Sequence, residues 1–143
     1  MEQTENKKLN SKTIVGIVVG IIVVVLVQQL FFKSPSFEKK MTQAASEINK
    51  TCPVMLDKET RLENTASLPD NTFQYNYTLV HVIKDSIKIE PLQEYLKKYI
   101  VNNVKSNPGL KDFRDNKTTM AYYYKDKNGV LLFKITVTPG QYK

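Results

Sequence analysis

The sequence is poor in the residues on which most enzymes and metal sites depend. Its 143 residues include one cysteine, one histidine and no tryptophan. A single cysteine cannot close an intramolecular disulfide, so the stability of the folded part must come from its core. The five glycines form no phosphate-binding loop, and no serine-hydrolase or zinc-protease motif is present. The sequence therefore argues against an enzyme, and we expect no cofactor and no metal ion.

One stretch, CPVMLDKETRL at residues 52–62, concentrates the few reactive residue types. A nucleophilic cysteine needs a base, and His81 is the only histidine available to Cys52. A Cys/His-dependent enzyme therefore stays open as the less favoured alternative. The other interpretation is a small apolar residue at the junction between a helix and a strand.

The same stretch carries acids that could act as a catalytic carboxylate pair. In an extended chain Asp57, Glu59, Arg61 and Glu63 all point to one side. Ion pairing along the surface of a strand explains this alternation of charge without catalysis. We expect Arg61 to lie on a binding surface rather than in an active site.

A long apolar run lies near the N-terminus. Residues 14–32 contain no charge, and a helix of this length rises roughly 28 Å, which is enough to cross a bilayer. We predict a membrane anchor here, after a polar, disordered leader at residues 1–13; a cleaved signal peptide is the competing interpretation. Gly16 and Gly20 have the GxxxG spacing that permits close helix contact, which would allow a homodimer through the anchor.

The charge of the chain suggests where the rest of it lies. Three lysines precede the apolar run and three follow it closely, which leaves the orientation nearly balanced. A short leader before one apolar segment is the usual layout of a signal anchor, so we expect a single-pass inner-membrane protein with residues 33–143 outside the cytoplasm. That part carries 18 basic and 12 acidic residues. The lysines are spread singly, which argues against nucleic acid as a partner.

Residues 33–143 are predicted to form one α+β domain. Ser36 is a suitable N-cap for a helix that runs to about Asn49. Alternating residues then predict a hairpin of two strands, residues 60–68 and 73–83, around a Pro-Asp-Asn turn. A second helix follows, with its apolar residues at helical spacing. These are Leu92, Tyr95, Leu96, Tyr99, Ile100 and Val104.

A final hairpin is predicted from residues 118–124 and 130–138. The segment KDKNG joins its strands, and Asn128-Gly129 suits a tight turn. The expected architecture is thus an N-terminal transmembrane helix followed by a small antiparallel sheet of about four strands, with two helices on one face.

Tyrosines are the most promising recognition residues in the sequence. Tyr122 and Tyr124 share one face of the predicted strand, while Tyr123 takes the opposite face. Most tyrosines of the chain would then be core residues, and Tyr123 would be exposed. We predict Tyr123, together with Arg61, as a binding residue, because aromatic residues and arginine are common at recognition surfaces.

Two segments carry a family resemblance. They are CPVMLDKETRLENTASLPDNTFQYNYTLV, residues 52–80, and DKNGVLLFKITVTP, residues 126–139. They resemble an uncharacterised family of small bacterial membrane-anchored proteins that have a CPxxxDxETxL element and a YNY strand. The resemblance implies a bacterial envelope setting and carries over no activity.

Together these features predict a non-enzymatic, single-pass membrane protein. Its extracytoplasmic domain would bind a protein or another component of the envelope. A structural subunit of a bacterial envelope complex is the main alternative.

Overall fold

The computed structural model describes residues 36–143. These residues form four α-helices, five strands and two short 3-10 helices, Lys84–Ser86 and Pro108–Leu110. In chain order the α-helices and strands are α1 (Phe37–Thr51), β1 (Val54–Met55), β2 (Thr60–Leu68), β3 (Thr72–Leu79), α2 (Ile89–Ser106), α3 (Lys111–Asp115), β4 (Thr119–Lys125), β5 (Leu131–Val137) and α4 (Pro139–Tyr142).

The strands form one mixed sheet in the order β1-β2-β3-β4-β5. Neighbouring strands run antiparallel, except that β3 and β4 run parallel to each other. The predicted antiparallel sheet of about four strands with two helices was therefore wrong. Strand β1 has two residues, too few to show an alternation. The long connection through α2 and α3 between β3 and β4 permits the parallel pair, since parallel strands need a crossover of this kind.

The predicted fold class, which included a transmembrane helix, is also corrected. No helix within residues 36–143 is both long enough and apolar enough to cross a bilayer. The predicted leader at 1–13, the predicted anchor at 14–32 and the glycine pair Gly16 and Gly20 lie outside the described residues.

Helix α1 starts where the sequence predicts. The Ser36 hydroxyl accepts a hydrogen bond from the Lys39 backbone N–H at 3.4 Å and so caps the first turn. One face of the helix is buried in the core, through Met41, Ala44, Ala45 and Ile48. Helix α2 buries Leu96, Ile100 and Val104 in the same core. Both helices therefore cover the same face of the sheet.

Four tyrosines form the centre of that core. Tyr75 stacks on Tyr122 with ring centroids 5.2 Å apart, and Tyr77 stacks on Tyr124 at 5.1 Å. Burial raises the pKa of all four phenols, so they are neutral. The parallel register of β3 and β4 pairs Tyr75 with Tyr122 and Tyr77 with Tyr124, which makes the stacking possible.

Part of the β2 edge forms its backbone hydrogen bonds with a side chain of α1 and not with another strand. The Asn49 amide donates to the Thr65 carbonyl at 2.8 Å and accepts from the Thr65 N–H at 2.7 Å. These are the two hydrogen bonds that a neighbouring strand would make. Asn49 thus joins α1 to the sheet and satisfies edge groups that would otherwise be open to another chain.

Substitution of Asn49 tests this closure. In Asn49→Ala both backbone groups of Thr65 lose their partner, and we expect the free energy of unfolding to fall by about 1–2 kcal/mol. The measurement is urea unfolding, with Glu47→Ala on the exposed side of α1 as control. Equal stability of the two variants would show that water replaces the Asn49 amide at no cost.

Asp126 organises the end of the β4–β5 hairpin. Its carboxylate accepts hydrogen bonds from the backbone N–H groups of Asn128 (2.8 Å), Val130 (2.9 Å) and Lys84 (3.1 Å). Burial alone would raise the pKa of Asp126, but these three donors outweigh burial and lower it. Gly129 completes the turn with a φ of 79°, a conformation that favours glycine.

The lowered pKa of Asp126 predicts how stability depends on pH. Because the folded state favours the ionised carboxylate, its contribution is complete well above the ordinary aspartate pKa of about 3.9 and is lost as the pH falls through the lower folded-state value. Asp126→Asn should therefore destabilise the protein more at pH 7 than at pH 3, as measured by urea unfolding at both values. A difference that does not change with pH would contradict this assignment.

Candidate functional site

The outer face of the sheet, opposite the helices, is the candidate binding surface. Every described helix that contributes to the core does so on the other face. A row of residues crosses the outer face from strand to strand. In order of pairing they are Asn64, Asn76, Tyr123 and Lys134, on β2, β3, β4 and β5.

A chain of side-chain amides fixes the polar half of this face. Gln74 donates to Asn76 at 2.9 Å, and Asn76 donates to Asn64 at 2.6 Å. Each amide is held by its neighbour, so its remaining donor or acceptor points in a set direction. An arrangement of this kind suits hydrogen bonding to an incoming polar chain at a small entropic cost.

The aromatic half of the face is formed by Tyr123. Its ring is half-buried and not fully exposed as predicted, and the Lys134 ammonium lies 5.0 Å from the ring centroid. Arg61 lies one row further along the sheet, since it pairs with Thr78 and Thr78 with Lys125. Arg61 donates to Glu63 at 2.6 Å, and both side chains remain partly accessible.

The structure thus places Arg61 and Tyr123 on one face of the sheet. Sequence reasoning had selected these two residues but missed the amides beside them. The alternation of β3 put Gln74 and Asn76 on one face. Only the pairing of β3 with β4 shows that this is the face of Tyr123.

The cysteine and the histidine do not form a nucleophile and base. Burial raises the pKa of the Cys52 thiol, the charge of Glu63 raises it further, and a hydrogen bond with Thr51 only partly offsets both. A reactive cysteine needs the opposite shift. His81 lies beyond the end of β3, not within the strand as predicted, and its Nδ1 is 3.0 Å from a carboxylate oxygen of Glu59.

The acids of residues 57–63 also do not form a carboxylate pair in the folded chain, because each has a different partner. Asp57 accepts hydrogen bonds from the N–H groups of Glu59 (2.6 Å) and Thr60 (2.8 Å), so its carboxylate shapes the loop before β2. Glu63 pairs with Arg61, and Glu59 contacts His81. Within residues 36–143, no group of three or more histidine, cysteine or acidic residues is arranged to hold a metal ion.

Three buried oxygen atoms near this loop have no hydrogen-bond partner among residues 36–143. They are Asp57 Oδ2, Thr60 Oγ1 and the Tyr124 hydroxyl. Burial raises the pKa of Tyr124, and the charge of Asp57 adds to this effect. Burial of these three oxygen atoms without partners therefore lowers the stability of the domain at one end of the tyrosine stack.

With the geometry described, the chain can be compared with known proteins. Residues 36–133 match the family described as a domain of unknown function, DUF8479. The chain belongs to this family. No curated protein matches the sequence.

Solved structures share the fold of this DUF8479 domain. The type II secretion system pilotin AspS of Vibrio cholerae has a TM-score of 0.54 and 13% identity, and the match covers 73% of this chain and 90% of AspS. The pilotin EpsS of the Vibrio vulnificus type 2 secretion system has a TM-score of 0.57 and 15% identity, covering 83% and 96%. A Pseudomonas aeruginosa protein described as a candidate secreted protein has a TM-score of 0.58 and 9% identity, covering 78% and 100%. At these identities the likeness is one of fold.

Two tyrosine substitutions test the partnerless oxygen atoms. In Tyr124→Phe a buried hydroxyl without a partner is removed, so stability should stay equal or rise by up to about 1 kcal/mol. In Tyr142→Phe the hydroxyl that donates to the Thr118 carbonyl at 2.7 Å is lost, and stability should fall by about 1–2 kcal/mol. Urea unfolding of both variants makes the comparison. Equal losses would mean that the Tyr124 hydroxyl bonds an internal water.

Proposed function

We propose that this protein is a non-enzymatic, extracytoplasmic binding module that holds a protein partner on the outer face of its sheet. The observation that carries the proposal is the combination on this face of an accessible tyrosine, an arginine and three interlinked amides. Asn64 and Asn76 lie in the row of Tyr123, with Arg61 one row to one side of it and Gln74 one row to the other.

The composition of the outer face suits a protein partner. Tyrosine and arginine are enriched among the residues that dominate binding energy at protein interfaces. The amides add hydrogen-bond donors and acceptors that are already ordered before binding. Lys134 lies against one side of the Tyr123 ring and restricts its conformations before binding. The ring therefore loses less conformational entropy when a partner binds.

Strand addition at a sheet edge is a less suitable route for this partner. Asn49 occupies the β2 edge at Thr65. At the other end of the sheet, the Gln93 amide of α2 donates to the Lys134 carbonyl of β5 at 3.2 Å. Both edges are thus partly satisfied from within the domain, whereas the outer face is free of described helices.

The proposed location is supported by fold and by charge. Pilotins are parts of the type II secretion system, and the candidate secreted protein of Pseudomonas aeruginosa has the same fold. Eighteen basic against twelve acidic residues in 33–143 favour acidic partners. An enzymatic role is not proposed, because the raised pKa of Cys52 leaves the chain without an activated nucleophile at this position.

Site-specific cross-linking tests this function. A photoreactive phenylalanine analogue replaces Asn76, beside Tyr123, in the full chain expressed in a bacterium that carries the gene. We expect an adduct with one extracytoplasmic protein. The additional substitution Tyr123→Ala should reduce that adduct by roughly ten-fold or more, as expected for a dominant interface residue.

Matched controls separate binding from folding. The same analogue at Glu47, on the exposed side of α1, should give no such adduct, and Tyr99→Ala on α2 should leave the Asn76 adduct unchanged. Thermal unfolding must show that Tyr123→Ala remains folded. Equal adducts from positions 76 and 47, or an adduct with a cytoplasmic protein, would contradict the proposal.

A further inference from the structure

A second surface of different chemistry lies at the end of the sheet where β3 and β4 finish. We call it the hairpin tip. Three aliphatic side chains and three lysines form it: Ile83, Val130, Leu131, Lys84, Lys125 and Lys127. None of these residues belongs to the row of amides and tyrosine described above.

Hydrogen bonds hold the two segments of the hairpin tip together. The Lys127 N–H donates to the Val82 carbonyl at 2.9 Å, and the Lys84 N–H donates to Asp126 at 3.1 Å. Within the hairpin, the Asp126 N–H donates to the Val130 carbonyl at 2.8 Å. Ile83 is therefore fixed beside the turn that carries Val130, although the two are far apart in sequence.

The aliphatic residues of the hairpin tip are unusually accessible. Ile83 is 39% exposed, Val130 44% and Leu131 46%. Residues 36–143 contain five large hydrophobic residues with this degree of exposure, and three of the five are at the tip. Such clustering points to an apolar contact outside the domain, since isolated exposed residues would be scattered.

The charge around these side chains is positive. Lys84, Lys125 and Lys127 are all exposed. Asp126 is ionised and offsets one of these charges, but it is buried and its carboxylate is held by three backbone hydrogen bonds, so it is not available to an outside partner. Asp85 is the exposed acid next to Lys84. The tip thus combines an apolar centre with an excess of lysine.

We propose that the hairpin tip rests on an anionic lipid surface. Leucine and valine are under-represented among the dominant residues of protein interfaces, and lysine is depleted there. Aliphatic side chains that enter the headgroup region, with lysines beside anionic lipids, are the pattern of peripheral membrane contact. The tip therefore has the chemistry of a lipid contact, whereas the outer face has that of a protein contact.

The absence of tryptophan from the sequence allows a local test. Val130→Trp places a single tryptophan at the exposed tip of the full chain. The variant is reconstituted with vesicles that contain brominated lipids, made of phosphatidylcholine alone or of phosphatidylcholine with phosphatidylglycerol. The quenching reports on position 130 alone, however the rest of the chain associates with the vesicle.

We expect strong quenching of Trp fluorescence only in the vesicles that contain phosphatidylglycerol. High salt should remove it, and so should the triple substitution Lys84→Gln, Lys125→Gln and Lys127→Gln in the same chain. Glu47→Trp, at an exposed position on α1, should show no dependence on the anionic lipid.

Two results would overturn the proposal. One is a tryptophan at position 130 that stays unquenched in both kinds of vesicle, which would favour a protein that covers the tip. The other is quenching at positions 130 and 47 alike, which would mean that the domain associates with lipid without using this surface.

Discussion

The parallel pairing of β3 with β4 is the interaction on which the rest of this structure depends. It joins residues 72–79 to residues 119–125 and places both strands in the middle of the sheet. On the inner face it aligns Tyr75 with Tyr122 and so builds the tyrosine core. On the outer face the same register sets Asn76 beside Tyr123. One set of backbone hydrogen bonds therefore determines both the stability of the domain and the composition of its candidate binding surface.

The two proposed surfaces of this small domain carry different kinds of side chain and suit different partners. The outer face offers an aromatic ring and directed amides, which can recognise a partner by shape and hydrogen bonding. The hairpin tip offers aliphatic groups and mobile ammonium charges, which suit a fluid, negatively charged layer with no fixed pattern of donors. The surfaces share no residue, although they adjoin at Lys125, which pairs with Thr78 one row from Tyr123.

Local features of the fold could be predicted from sequence, and long-range ones could not. The cap at Ser36 and the stripe that includes Leu96 and Ile100 are set by neighbouring residues, so spacing alone located both helices. Strand β1 is too short to show a period, and the direction of β4 relative to β3 depends on the course of residues 80–118. Alternation assigned Tyr123 to the face opposite Tyr122 and Tyr124. It could not tell that Asn76 and Lys134 would be its neighbours, because strand pairing is not encoded in the period of either strand.

The position of α2 between β3 and β4 has a consequence for the order of folding. Strand β3 pairs with β2 across a short turn, but its other edge stays open until the crossover through α2 brings β4 beside it. During this interval an edge rich in tyrosine remains unpaired, in a chain whose apolar core residues are not yet covered. Such an edge can pair with another incompletely folded chain. The domain is therefore most open to association with other copies before β4 and β5 have completed the sheet.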